Sequence, residues 1–229
     1  MNTFDEIAEN YDEELKASLG VFAGNDIDKF ARYKIETLSF LVKNPKNILE
    51  FGCGTGRNIP FLTQIFPNTE IFACDASEKS IEAAKKIIPT NPDVKFAIIG
   101  GPQELADTYR NVDVIFVSGV FHHISFEEHE FYLEALNKIL SQGGKIIIFE
   151  HNPYNPLTSR IFKKSRIDRG CKMLEPKYLK ESLKRVNFCY LKIYYALFFL
   201  LRNKFFTFLE KKLSWCPLGG QYFITGVKK

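Results

Sequence analysis

Chemistry in this 229-residue chain is concentrated at a few positions. Glu50-Phe51-Gly52-Cys53-Gly54-Thr55-Gly56 sets three glycines at alternate positions behind an apolar run. Glycine permits the tight turn such a loop needs and lets backbone N–H groups come close to a ligand. A helix is expected at once afterwards, with its N-terminus facing that ligand. Asp75 ends the next β-prone run, 19 residues after Gly56. A carboxylate there can accept hydrogen bonds from the vicinal hydroxyls of a ribose, or it can cap the helix that starts nearby. The glycine loop at this spacing favours the ribose. His122, His123 and His151 each follow a β-prone run. An imidazole, with an ordinary pKa of about 6.5, suits proton transfer. Plainer roles stay open for each: orienting a loop, packing beside a ligand, or, for His151, standing in a turn fixed by Pro153 and Pro156.

The loop excludes one ligand class. A dinucleotide fingerprint needs a third glycine where Arg57 stands, so a nicotinamide dehydrogenase is disfavoured. Glu50, two residues before Gly52, suits an ammonium instead, directly or through water, while the backbone donors suit a carboxylate. The five cysteines form no CxxC pair and there are four histidines, so no metal is expected.

These groups must be positioned by elements that the hydropathy pattern outlines. Residues 4–18 read as an acidic amphipathic helix, and a second helix runs from a cap at Asp26 to about Lys43. Short apolar runs follow at Asn47–Gly52, Glu70–Asp75, Val94–Ile99, Asp113–Ser118 and Lys145–Glu150. Nearly continuous apolar runs suit strands buried on both faces. Helical stretches lie between them, at about 57–66, 77–88, 103–110 and 126–141. This alternation predicts a parallel sheet with helices on both sides. Residues 151–174 read as irregular and basic, followed by a helix at 176–186 and runs at Phe188–Tyr195 and Gln221–Val227. We read one domain: a helical cap (1–44), a cofactor-binding core (45–151), a basic substrate-side insertion (152–218) and a last strand (219–229).

Composition bounds the rest. Hydrophobic residues are 45% and charged residues 25%, ordinary for a globular chain and excluding a disordered tail or disulfide miniprotein. No signal peptide is read at the N-terminus, and the longest apolar run, Ile193 to Leu201, is shorter than the ~20 residues of a membrane span. A cytoplasmic protein is expected, with the inner membrane surface as a candidate site of action. Residues 1–159 carry a net charge of −9 and residues 160–229 carry +13. A basic third of this kind suits an anionic partner or a solvated face. Residues 194–215, amphipathic and rich in Phe, Leu and Lys, read as a core helix, a substrate cap or a weak membrane contact. No nucleic-acid-binding module is present.

Glu50–Gly56, Asp75, the run Asp113–Ile124 and Gln142-Gly143-Gly144-Lys145, in this order, resemble the class I S-adenosylmethionine-dependent methyltransferases that act on small molecules. The resemblance covers about residues 4–151 and returns at the last strand. It implies a Rossmann-like doubly wound α/β sheet of seven strands, ordered 3-2-1-4-5-7-6 with the last antiparallel. It also implies S-adenosylmethionine as methyl donor, leaving S-adenosylhomocysteine. Carried onto this chain, the cofactor contacts fall on Tyr11, Glu50, Gly52, Cys53, Gly54, Gly56, Asp75, Ala76 and Ser118. The acidic residue often found near the adenine is missing after the third strand, and Gln103 takes its place. His122, His123 and His151 are the catalytic candidates. Asn152-Pro153-Tyr154 resembles an amino-methyltransferase signature but follows the wrong strand. Glu150–Thr158, with Pro217–Tyr222, resembles methyltransferases linked to bacterial surface-glycan and lipid-linked sugar assembly. The expected reaction is O-methylation of a small anionic or sugar-containing substrate. The alternatives are a quinone-like lipid, a small amine, or a relative that binds the cofactor and only regulates a partner.

Overall fold

The structure is a computed structural model and describes residues 14, 27–88, 91–199 and 204–229. Tyr11, the expected helix at 4–18 (apart from Glu14) and the Asp26 cap lie outside the described residues.

A seven-stranded sheet with order β3-β2-β1-β4-β5-β7-β6 organises the chain. Its strands are β1 (Asn47–Phe51), β2 (Glu70–Asp75), β3 (Val94–Ile98), β4 (Val112–Ser118), β5 (Leu140–His151), β6 (Phe188–Ala196) and β7 (Gln221–Lys228). The first five pair in parallel, and β7 runs antiparallel between β5 and β6. This is the topology expected from the sequence. The order reverses between β1 and β4, so a crevice opens beyond their carboxyl ends.

Helices α1 (Asp28–Leu41), α2 (Ile59–Ile65), α3 (Glu78–Ile87), α4 (Pro102–Thr108), α5 (His129–Ile139), α6 (Pro156–Lys164), α7 (Pro176–Arg185) and α8 (Lys204–Leu213) complete the chain. Local signals explain where several begin. Ser77 Oγ accepts from the Ser80 N–H and starts α3, and prolines open α2, α4, α6 and α7, where the missing N–H costs nothing. Alternate strand residues feed two cores. Leu49, Ile115 and Ile148 pack with Leu105, Leu136 and Leu179 on one face. Ile48, Phe116 and Ile147 pack with Ile35, Leu62 and Ile81 on the other.

Two sequence expectations are corrected. Residues 151–174 are not irregular throughout: α6 forms there, with Asn155 Oδ1 accepting from the Thr158 N–H at 3.0 Å and Pro156 in the first turn. Strand β5 begins at Leu140 rather than Lys145, because Leu140 already pairs with Val112 before the register shifts between Val112 and Val114. Among the described residues, no helix is long and apolar enough to cross a membrane.

Candidate functional site

The glycine loop leaves β1 at the switch point. Gly52, Gly54 and Gly56 all have positive φ (+73°, +52° and +83°), which an L side chain adopts at a cost. A Cβ on Gly56 would lie 2.8 Å from the Ala84 Cβ of α3, whereas a Cβ on Gly54 would meet nothing within 4 Å. Gly56 therefore lets the loop pack onto α3, and Gly54 keeps a cradle clear above the loop. Asp75, at the end of β2, is held by the same loop. Its Oδ2 accepts from the Gly54 N–H at 2.8 Å, and its Oδ1 accepts from the Ser77 N–H at 2.9 Å.

These residues border one cavity of roughly 900 Å³, within the usual range for a cofactor and small ligand. Gly52, Cys53, Gly54, Asp75, Ala76, Ser118, His122, His123 and His151 line it together. Glu50 lies just behind the lining, buried in central strand β1. Its Oε1 accepts from Asn58 Nδ2 at 2.6 Å, and its buried Oε2 has no hydrogen-bond partner among the described residues. A charge-bearing group in a central strand breaks the packing pattern, which is expected mainly at functional sites. Burial pushes its carboxyl up to about 8. Lys34 of α1, pulled down to about 8 by burial, donates to Ser118 Oγ at 2.7 Å on the same floor.

Gln103 does not join this group. Its exposed side chain bonds Asp107 Oδ2 at 2.9 Å on α4 and is absent from the cavity wall, where Ile99 stands instead. An i,i+4 partner on its own helix holds the amide outward, apart from the other residues expected to contact the cofactor. Gly56 also stays out of the lining and acts through packing.

The opposite end of the cavity is built from the turn after β4. Phe121–His123 form one 3-10 turn, held from below by His129, whose Nε2 lies 2.8 Å from the Phe121 carbonyl. Glu150 on β5 fixes the turn from the side. Its Oε1 accepts from the Phe121 N–H at 2.9 Å, and its Oε2 lies 2.6 Å from His122 Nδ1. The other ring nitrogen of His122 faces Asp168 Oδ1 at 3.2 Å. Burial alone would lower His122, but the Glu150 and Asp168 carboxylates overcome it and hold the ring up at about 9. His123 and His151 go the other way. Burial, then the neighbouring His122 charge, lowers them to about 3 and about 4. One cationic imidazole thus sits beside two neutral ones. Among the described residues, His151 has no hydrogen bond at either ring nitrogen; its ring packs on His122 and Phe162.

Sequence reasoning missed Asp168 and Lys34. Asp168 is the single acidic residue between Glu150 and Glu175, an oddity in a basic stretch, but nothing near it in the sequence names His122 as its partner.

Beyond the histidines the cavity wall is apolar. Leu157, Ile161 and Phe162 of α6 face the cavity, with Leu197 and Phe206. Residues after β6 and α8 therefore form part of the wall, and Glu210 of α8 secures them by accepting from the Leu197 and Phe198 N–H groups. Arg160, Lys163 and Lys164 point away into solvent. A clasp fixes this wall. Asn152 Nδ2 donates to the Pro217 and Gly219 carbonyls (3.0 and 2.7 Å), Asn155 Nδ2 to that of Leu218 (2.6 Å), and Thr158 Oγ1 to that of Gly220 (2.9 Å).

The cofactor implied by the sequence fits these residues on two counts: the unpartnered Glu50 oxygen and the cradle over Gly54. Comparisons with known proteins agree. A methyltransferase-domain profile matches residues 49–146. An uncharacterized methyltransferase of Bacillus cytotoxicus is 29% identical over 147 residues, 63% of either chain. Malonyl-[acyl-carrier protein] O-methyltransferase 1 of Ilyobacter polytropus is 31% identical over 123 residues, 52% of this chain and 43% of that one. The match thus spans less than two thirds of either relative. In fold, the crystal structure of a SAM-dependent methyltransferase from Archaeoglobus fulgidus superposes with a TM-score of 0.68 at 16% identity, covering 88% of this chain and 94% of that one. Sheet order, glycine loop and domain match converge: over residues 49–146 the chain is similar to a methyltransferase domain, on the fold of the S-adenosylmethionine-dependent methyltransferases.

Proposed function

We propose that this chain moves the methyl group of S-adenosylmethionine onto an oxygen of a small acceptor. One observation carries the reading: His151, a neutral imidazole facing the cavity with both ring nitrogens uncommitted among the described residues. When bound, the cofactor supplies an electrophilic methyl on a sulfonium. Glu50 would attract its ammonium and Asp75 would accept from its ribose hydroxyls, while the missing side chain of Gly54 leaves room for it above the loop. The acceptor must then be held in line, and its proton must leave.

His122 turns its two ring nitrogens to Glu150 and Asp168, so it positions Asp168 and the turn. His151 takes the acceptor proton as the C–O bond forms. A weak base suffices, because a methylated hydroxyl that still carries its proton is an oxonium, a far stronger acid than imidazolium.

The apolar wall suits an acceptor with a quinone-like or lipid-linked body. The solvent-facing Arg160, Lys163 and Lys164 leave an anionic or sugar part at the rim rather than inside. Exposed Phe208, Trp215 and Leu218 near Lys211 and Lys212 support contact with an anionic lipid surface that would present such an acceptor.

The test offers deuterated S-adenosylmethionine with paired acceptors, one hydroxyl and one amine, on the same apolar body. Mass spectrometry should find the label on the hydroxyl compound. His151→Ala should lower kcat by roughly 10²–10⁴-fold with S-adenosylhomocysteine affinity unchanged. Preference for the amine, or an unchanged kcat, overturns the oxygen-transfer reading.

A further inference from the structure

We infer that His122, His123 and Asp168 form a binding site for one divalent transition-metal ion at the acceptor end of the cavity. Along the chain the cysteines and histidines show no metal-ligand spacing. In space three donor atoms converge: one from each of these residues, all within 4.8 Å of one another. Asp168 Oδ1 is 3.2 Å from His122 Nε2 and 3.5 Å from His123 Nε2. A tetrahedral ion with bonds of about 2.0–2.1 Å separates its ligands by about 3.3 Å, so the two separations from Asp168 match two edges of such a site, and the two histidine donors lie within 4.8 Å of each other.

The surroundings match as well. A metal-bound histidine commonly gives its other ring nitrogen to a carboxylate, which fixes the ring and raises its basicity. Glu150 Oε2 does this for His122 at 2.6 Å, and Glu150 is itself anchored by the Phe121 N–H. His123 turns its Nδ1 toward Cys171 Sγ at 3.1 Å. Two nitrogens and one oxygen leave a fourth position, and all three residues line the cavity into which it opens. This donor set suits Zn²⁺, Co²⁺ or Fe²⁺ rather than the all-oxygen preference of Mg²⁺ or Ca²⁺. The fourth ligand would be water or an oxygen of the acceptor; that use rests on the proposed methyl transfer, while binding of the ion does not.

A proton bridging His122 and Asp168 is the rival occupant, and the two are separable. The chelator-treated full chain is titrated with Co²⁺ and Zn²⁺ by calorimetry, with visible absorption read for Co²⁺. About one ion per chain and ligand-field bands in the visible are expected. Asp168→Asn and His123→Gln should each weaken binding roughly tenfold or more, whereas His151→Gln, beside the site but outside the ligand set, should retain it. Wild-type protein gives an independent reading: Zn²⁺ should protect the His122–His123 peptide from diethyl pyrocarbonate while leaving His151 reactive. Absence of binding, or equal affinity in wild type and Asp168→Asn, overturns the site. Neither result depends on catalysis, so the metal site and the methyl-transfer reading fail separately.

Discussion

Glu50→Gln should make the ligand-free protein more stable and the cofactor bind worse. The carboxyl is buried in central strand β1, and burial raises its pKa from an ordinary 4.5 to about 8. A carboxyl held above its unfolded value binds more protons when folded, so stability falls as pH rises between the two values. The penalty is absent below about 4.5, grows by ~1.4 kcal/mol per pH unit, and levels off above about 8 at roughly 4–5 kcal/mol. Glutamine keeps the shape and escapes the ionisation cost. In urea unfolding at pH 8, Glu50→Gln should therefore exceed wild type by a few kcal/mol, and the gap should close as pH approaches 5. Calorimetry with S-adenosylhomocysteine should show the reverse. Losing one charged hydrogen bond, worth about 1.5–3 kcal/mol, weakens binding roughly 10–150-fold. A variant less stable at every pH would show that the carboxylate holds the strand together. Unchanged affinity would show that it never meets the cofactor.

Asp75→Ala should weaken S-adenosylhomocysteine by more than about tenfold, since a charged partner of two ribose hydroxyls is lost; calorimetry reads it, and an unchanged Kd sinks the ribose assignment. Gly56→Ala should cost roughly 2–4 kcal/mol in urea unfolding. It places a Cβ at φ +83° and 2.8 Å from the Ala84 Cβ, adding backbone strain to an overpacked helix contact. A cost below about 1 kcal/mol would mean that α3 moves aside easily.

The sheet was legible because parallel strands buried on both faces read as apolar runs, Ile115-Phe116-Val117 and Ile146-Ile147-Ile148 among them. The cofactor loop was legible because its glycines carry their conformational reason in the sequence. The acceptor end was not. Asp168 reaches His122 across a separation of 46 residues, and no local pattern announces a pairing made only by tertiary structure. Helix α6 was hidden for the opposite reason: Pro153 and Pro156 suggested a broken chain, although Asn155-Pro156 is a helix start in itself. Gln103 stands apart from the other carried-over contacts. Its neighbour Asp107 claims the side chain first.

The hydrogen bonds from Asn152, Asn155 and Thr158 to residues 217–220 make two distant stretches of sequence a single inheritable part. Neither half has a mating surface without the other, because each amide is cut to carbonyls that only the opposite turn presents. Substitutions in one half are therefore constrained by the other, and the pair should drift together or hardly at all. A chimera that imports residues 152–158 from another methyltransferase should import residues 217–220 with them. Exchanging the acceptor wall is thus a two-cut operation, and a library built on one segment alone would sample mostly mismatched clasps.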